Sequence, residues 1–212
     1  MRPQAEHTPW LRTIVCGVDG TAAGREAARQ AAELARPGAR LQLVAITPAP
    51  GRPTFLPPPS AAPGVLAEAE RIARDSLAEV SVSSGTAASA ADGLIRASEG
   101  ADLLVIGVDT LGRVPTAVLR RAPCSVLLAR RPPDLPLFDT LLVAAGGDPA
   151  PHIAAAQLAV EHGSEVHAVA PASAGTAAAA MGCGLIVTAD DGVAATIARA
   201  APCSVLVVRQ AV

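Results

Sequence analysis

Short apolar runs recur along the chain, spaced so that one helix fits between neighbours. Residues 13–18 (TIVCGV), 41–46 (LQLVAI), 103–108 (LLVIGV) and Ser125–Ala129 (SVLLA) each read as a nearly continuous apolar strand. Strands of this kind are buried on both faces. Between them the period changes to that of a helix. Ala27, Ala31 and Leu34 share a face behind Thr21, a candidate N-cap. Val65, Ala69, Ile72 and Ala73 do so within 63–77, and Ala91, Leu94 and Ile95 within 87–98. A short helix is expected at 114–121 and a weak strand at 79–83. Apolar strands separated by helices imply a parallel sheet covered on both sides, and right-handed crossovers make it a doubly wound α/β sandwich.

The pattern then begins again. Residues 140–145 (TLLVAA) match TIVCGV, and 146–150 (GGDPA) match DGTAA, with Asp148 as N-cap and Pro149 at the first helical position. Residues 166–170, Leu185–Ala189 and Ser204–Val208 take the places of strands two, four and five. The phrases APCSVLLAR (122–130) and APCSVLVVR (201–209) agree at seven of nine positions, which implies an internal duplication. Strands two and four are 56 residues apart in the first copy (47–102) and 14 in the second (171–184). The second copy therefore has room for one short helix near 173–181 and for no third strand. In the flavodoxin-like order 3-2-1-4-5 the third strand is an edge, so its loss spares the 2-1-4-5 pairing. The expected organisation is a domain at 1–131, a linker at 132–137 and a truncated domain at 138–212. The fold class is α/β, two flavodoxin-like or Rossmann-like doubly wound parallel sheets. A loop at 47–63 holds seven prolines and predicts extended, irregular chain.

Composition narrows the chemistry. Half of the 212 residues are apolar, but the aromatics are only Trp10, Phe55 and Phe138, so the core must be built from Ala, Val, Leu and Ile. The net charge of −2 divides into +2 over 1–137 and −4 over 138–212, and neither half is a nucleic-acid surface by charge. All 17 basic residues are arginine, which excludes a Walker A loop and a Schiff-base lysine. Cys16, Cys124, Cys183 and Cys203 form no C-x-x-C and read as small buried hydrophobes in a reducing cytosol. The opening MRPQAEHTPW lacks the apolar stretch of a signal peptide, so a cytoplasmic location is expected. Residues 166–189 carry no Asp, Glu or Arg, but Pro171, His167 and a composition of mostly Ala, Gly, Ser and Thr argue against a membrane span. His7, His152, His162 and His167 lack zinc-ligand spacing, no G-x-S-x-G exists, and Asp190-Asp191 reads as a solvated turn. No catalytic residue and no metal site is expected.

The stretches GVDGTAAGREAARQAAELA (17–35), ADLLVIG (101–107) and VLRRAPCSVLLAR (118–130) resemble the universal stress protein family in its tandem form. The resemblance spans about residues 12–210. Family members that bind ATP carry glycine, two residues, glycine, nine residues, glycine and a hydroxyl residue after strand four, small residues that let backbone N–H groups approach phosphates. An aspartate after strand one meets the adenosine. By this resemblance the nucleotide contacts fall at Val18, Asp19, Val44, Gly107, Gly112 and Arg113. The chain departs from the pattern, because only 108–111 separate Gly107 from Gly112, where the family has twelve residues, and Arg113 replaces the hydroxyl residue. In the second copy Gly146 stands in place of Asp19, and two carboxylates, Asp190 and Asp191, face the would-be phosphate position.

The resemblance implies a non-catalytic regulatory or stress-response protein whose adenine-nucleotide site in the first copy is degenerate, with weak or no ATP binding. The alternative is a functional ATP- or AMP-binding member; ATP hydrolysis is a more distant one. It also implies that Ser125–Ala129 pairs antiparallel with Ser204–Val208 inside one chain. The expected product is a monomer that mimics a family dimer, with an unknown protein partner and no nucleic acid or membrane.

Overall fold

The structure, a computed structural model, describes residues 10–49, 61–130 and 136–209. Its described strands are β1 (Thr13–Gly17), β2 (Arg40–Pro48), β3 (Glu79–Ala87), β4 (Leu103–Gly107), β5 (Ser125–Ala129), β6 (Thr140–Ala144), β7 (Glu165–Ala168), β8 (Leu185–Ala189) and β9 (Ser204–Val208). The helices are α1 (Ala22–Leu34), α2 (Ala62–Ile72), α3 (Ala90–Ala97), α4 (Arg113–Arg121), α5 (Pro149–His162), α6 (Ala174–Met181) and α7 (Ala194–Ala200).

The strands form one sheet in the order β3-β2-β1-β4-β5-β9-β8-β6-β7. Every neighbouring pair is parallel except β5 and β9, which run antiparallel with Leu127 opposite Leu206. The two sheets expected from the sequence are thus joined edge to edge. One run is β3-β2-β1-β4-β5; the other, β7-β6-β8-β9, is the same order without its outermost strand.

Strand alternation feeds two cores. Ile14 and Cys16, Leu103 and Val105, Leu127, Leu141 and Leu206 point to one side, where they meet α1, α2 and α5. Val15, Leu104, Ile106, Val126, Leu142 and Val205 point to the other, against α3, α4, α6 and α7. Both faces are apolar because both are covered, the physical reason for the continuous runs. Few helix side chains in these cores are large: α1 offers Ala27, Ala28 and Ala31, and α6 offers Ala174 and Ala178. Small residues let helices lie close on the sheet.

Local signals set the helix starts. Thr21 Oγ1 accepts from the Gly24 amide at 3.0 Å, and Asp148 Oδ1 accepts from Ala150 at 2.9 Å with Pro149 in the first turn. Gly163, at φ 73°, ends α5 in the left-handed region that glycine adopts without steric cost.

Several element boundaries differ from expectation. β3 runs to Ala87 rather than residue 83, and α3 starts at Ala90 rather than 87. SSGTA has little strand propensity, but nine consecutive pairings with β2 hold it. β2 accordingly extends through Thr47 and Pro48, the first residues of the expected proline loop, and α2 takes in Ala62 and Pro63 at its end. Residues 50–60 of that loop, and 131–135 of the expected linker and its flank, lie outside the described residues. α2 stops at Ile72, five residues short of expectation, where a turn at 73–75 leads to β3. β7 is shorter and earlier than expected, Glu165–Ala168. Among the described residues, no helix is long and apolar enough to cross a membrane.

Candidate functional site

The sheet order reverses at β1, which has β2 on one side and β4 on the other. The crevice beyond the carboxyl ends of β1 and β4 is where open α/β sheets bind ligands. The six residues singled out from the sequence gather at these strand ends but play different parts.

Asp19 follows β1 and is exposed. Its Oδ1 accepts from the Thr21 amide at 3.0 Å and the Thr21 hydroxyl at 2.6 Å. Thr21 in turn caps α1, so one oxygen of Asp19 fixes the helix start through an Asx turn. Burial, reinforced by the Asp19 charge, pushes the Cys16 thiol well above its ordinary range, which keeps it an inert core group. Val18 and Val44 are both buried, joined by a 2.9 Å bond from the Val18 amide to the Val44 carbonyl. They belong to opposite cores, Val18 to the α1 side and Val44 to the α3 side.

Gly107 closes β4 beneath the first turn of α1. A Cβ there would lie 2.1 Å from the Ala23 carbonyl oxygen, so glycine is required for helix and strand to pass. The connection to α4 is five residues, 108–112. Gly112 is the N-cap of α4 at φ −82°, and a Cβ there would meet nothing within 4 Å. Its amide donates to the Thr110 carbonyl at 2.8 Å, and its carbonyl accepts from Thr116 Oγ1 at 2.8 Å. Arg113 opens α4 and is exposed, and no side chain caps that helix.

The equivalent place in the second half is differently furnished. Asp190 Oδ2 accepts from Arg209 Nε at 2.8 Å, while Asp191 Oδ1 accepts from the Val193 amide at 3.3 Å. The neighbouring carboxylates therefore serve separate partners. Among the described residues no group of three or more His, Cys, Asp or Glu side chains could hold a metal ion.

A second constellation, at the β5–β9 seam, was not singled out from the sequence. The Arg130 amide donates to Ser204 Oγ at 3.0 Å, and the Arg209 amide to Ser125 Oγ at 3.1 Å. Each arginine then reaches across the seam to the carboxyl end of the opposite half's last helix. Arg130 donates to the Ala198 and Ala201 carbonyls at the end of α7, and Arg209 to the Leu119 and Ala122 carbonyls at the end of α4. A guanidinium satisfies carbonyls that the helix leaves unpaired and matches the negative end of its dipole. The signal was present in the sequence: Ser and Arg recur at the same places in both nine-residue phrases. The exchange is nearly symmetric, but one end is augmented by Gln30, which is fully buried and bonds both Arg130 O and Ser204 Oγ.

Comparison with known proteins agrees with this architecture. Residues 11–130 match the universal stress protein family. A universal stress protein from Archaeoglobus fulgidus DSM 4304 superposes with a TM-score of 0.73 at 12% identity, over 93% of this chain and 98% of that one. A candidate universal stress protein from Pseudomonas aeruginosa UCBPP-PA14 gives 0.70 at 14%, over 95% and 94%. A protein of unknown function from Pseudomonas aeruginosa PAO1 gives 0.67 at 16%, over 95% and 93%. These identities establish a shared fold and nothing finer. No curated protein matches the chain. With more than half of its length matched and the doubly wound sheet in place, the chain belongs to the universal stress protein family.

Proposed function

We propose that this protein is a non-catalytic regulatory member of its family whose adenine-nucleotide site, in the first half, is pruned to the point of weak or no ATP binding. The observation that carries this reading is the five-residue β4–α4 connection, 108–112. A triphosphate needs several backbone N–H groups converging on it, together with a helix N-terminus. Here the Gly112 amide is turned to Thr110, and Gly107 is consumed by packing against α1. What supports a residual site is Asp19, whose Oδ1 is engaged within its turn, together with exposed Arg113 at the uncapped start of α4. A ligand with one phosphate asks less of the short connection, so AMP or an adenosine moiety fits this crevice better than ATP.

Isothermal calorimetry with ATP, ADP and AMP tests the reading. ATP is expected to bind weakly or not at all, AMP at least as well as ATP, and Asp19→Ala to abolish any heat. Submicromolar ATP binding that survives Asp19→Ala would overturn it.

The chain is further read as two copies of one unit, at 1–131 and 138–212, joined where subunits of a dimer would meet. The reciprocal Arg130 and Arg209 contacts support this, since each copy finishes the other's last helix. The chain then needs no second subunit to cover its β5 edge, and a monomer follows.

A further inference from the structure

The near-symmetric exchange at the β5–β9 seam is broken on one side. Gln30 follows the N-cap Thr21 by nine residues and is fully buried at the seam. Its Nε2 donates to the Arg130 carbonyl at 3.0 Å and to Glu26 Oε1 at 2.7 Å, and its Oε1 accepts from Ser204 Oγ at 2.9 Å. Gln157 follows the N-cap Asp148 by the same nine residues and shares a cleft with Ser125 and Arg209, the counterparts of Ser204 and Arg130. Yet Gln157 is exposed and makes no hydrogen bond among the described residues. One difference between the helices accounts for this: Ile153 stands where α1 has Glu26, so no carboxylate holds the Gln157 amide inward. What is left is a cleft of about 490 Å³ between α5 and the amino ends of β4 and β5. That volume is within the range of small-molecule sites. Half-buried Trp10 and exposed Ile153 give it apolar walls. Ser125, only 6% exposed, also lines it. Its Oγ accepts from the Arg209 amide at 3.1 Å, but its own hydrogen meets no acceptor among the described residues. A buried donor left unpaired is costly, so the cleft is incomplete as it stands.

We propose that this cleft binds a small aromatic carboxamide. The closed side of the seam supplies the chemistry, since a primary amide, that of Gln30, completes the Ser204 hydroxyl and the Arg130 carbonyl there. In the open cleft a ligand amide takes that position. Its carbonyl accepts from the Ser125 hydroxyl, and its NH₂ donates to the Arg209 carbonyl. The aromatic ring lies where the Glu26 carboxylate would be, against Ile153 and the Trp10 indole. A carboxylic acid fits less well. Its carboxylate has no hydrogen for the Arg209 carbonyl, and the Arg209 guanidinium is already committed to the α4 carbonyls and to Asp190. The cleft adjoins the amino end of β4, whereas Gly107 and the candidate nucleotide site lie at its carboxyl end, so the two readings stand or fall separately.

The test is a titration of the full chain with benzamide, followed by NMR. Trp10 is the only tryptophan, so its indole N–H gives a single resonance at the cleft wall. The expected result is a saturable shift of that resonance, half complete at or below about 1 mM, with through-space contacts from the benzamide ring to Trp10 and Ile153. Benzoate should bind about tenfold more weakly, because it leaves a backbone carbonyl unpaired. Ile153→Glu restores the carboxylate that Gln157 lacks, lets that side chain close the cleft, and should abolish binding. Val160→Glu, on the same helix but outside the cleft, should bind benzamide as wild type does. Both positions are exposed, so neither variant disturbs the core. No saturable shift up to about 10 mM, equal binding of benzoate, or unchanged binding by Ile153→Glu would each overturn the proposal. So would Gln157 side-chain amide protons protected from exchange in the free wild-type chain, since the cleft would then be closed already.

Discussion

Replacing Arg209 with alanine probes the joint between the halves where its chemistry is most concentrated. The side chain is 12% exposed and donates to the Leu119 and Ala122 carbonyls, to the Cys124 carbonyl at 3.3 Å and to Asp190 at 2.8 Å. A hydrogen bond to a charged group contributes about 1.5–3 kcal/mol, and a cation at a helix carboxyl end about 0.3–1 kcal/mol. The Asp190 contact adds under about 1 kcal/mol, since that carboxylate is 44% exposed. Water entering the vacated space recovers part of the carbonyl bonding, leaving a net loss of about 3 kcal/mol. For a chain of this length that lowers the melting temperature by about 6–12 °C. Arg130→Ala should cost less, because Arg130 Nε is buried with no partner. Thermal and urea unfolding of Arg209→Ala, Arg130→Ala and the exposed control Arg120→Ala provide the comparison. If Arg209→Ala falls within about 0.5 kcal/mol of wild type, the capping argument is wrong.

Two further predictions concern the first half and the α5 end. Gly107→Ala should destabilise by about 1–3 kcal/mol, because the new carbon meets backbone, whereas Gly112→Ala, with open space around it, should cost under about 1 kcal/mol; urea midpoints distinguish them. His162, stacked on Phe138 with ring centroids 3.8 Å apart, is pushed down to about 4 by burial and by the Arg36 charge. The unfolded chain takes up that proton near 6.5 while the folded chain refuses it until about 4, so stability is full above 6.5 and declines as pH falls through this window. Solvent screening of the half-buried ring limits the loss to on the order of 1 kcal/mol. His162→Leu should flatten that part of the stability–pH curve relative to wild type.

The buried strands were legible because two-sided burial writes itself as an unbroken apolar run, as in LLVIGV and SVLVV. β3 was only half legible: its outer residues are exposed and its second half is serine, glycine and threonine, so its length depends on pairing with β2 rather than on its own residues. α7 went unpredicted because seven residues rich in alanine carry too little periodicity. The strand ends around Asp19 and Gly107 were placed by motif, but spacing could not separate a glycine that admits a ligand from one that admits a helix. That distinction required the Ala23 carbonyl, 84 residues away in sequence. The crossed arginines show the opposite case. Repetition marked Arg130 and Arg209, yet only the antiparallel β5–β9 contact reveals that each acts on the other half.

In the proposed organisation one chain contains both sides of a joint that separate subunits would otherwise form. Light scattering of the full chain, over a wide range of concentrations and in low salt, tests it most directly. A single species at 21.1 kDa is expected throughout. A species of twice that mass, lost on substitution within β5 or β9, would contradict it.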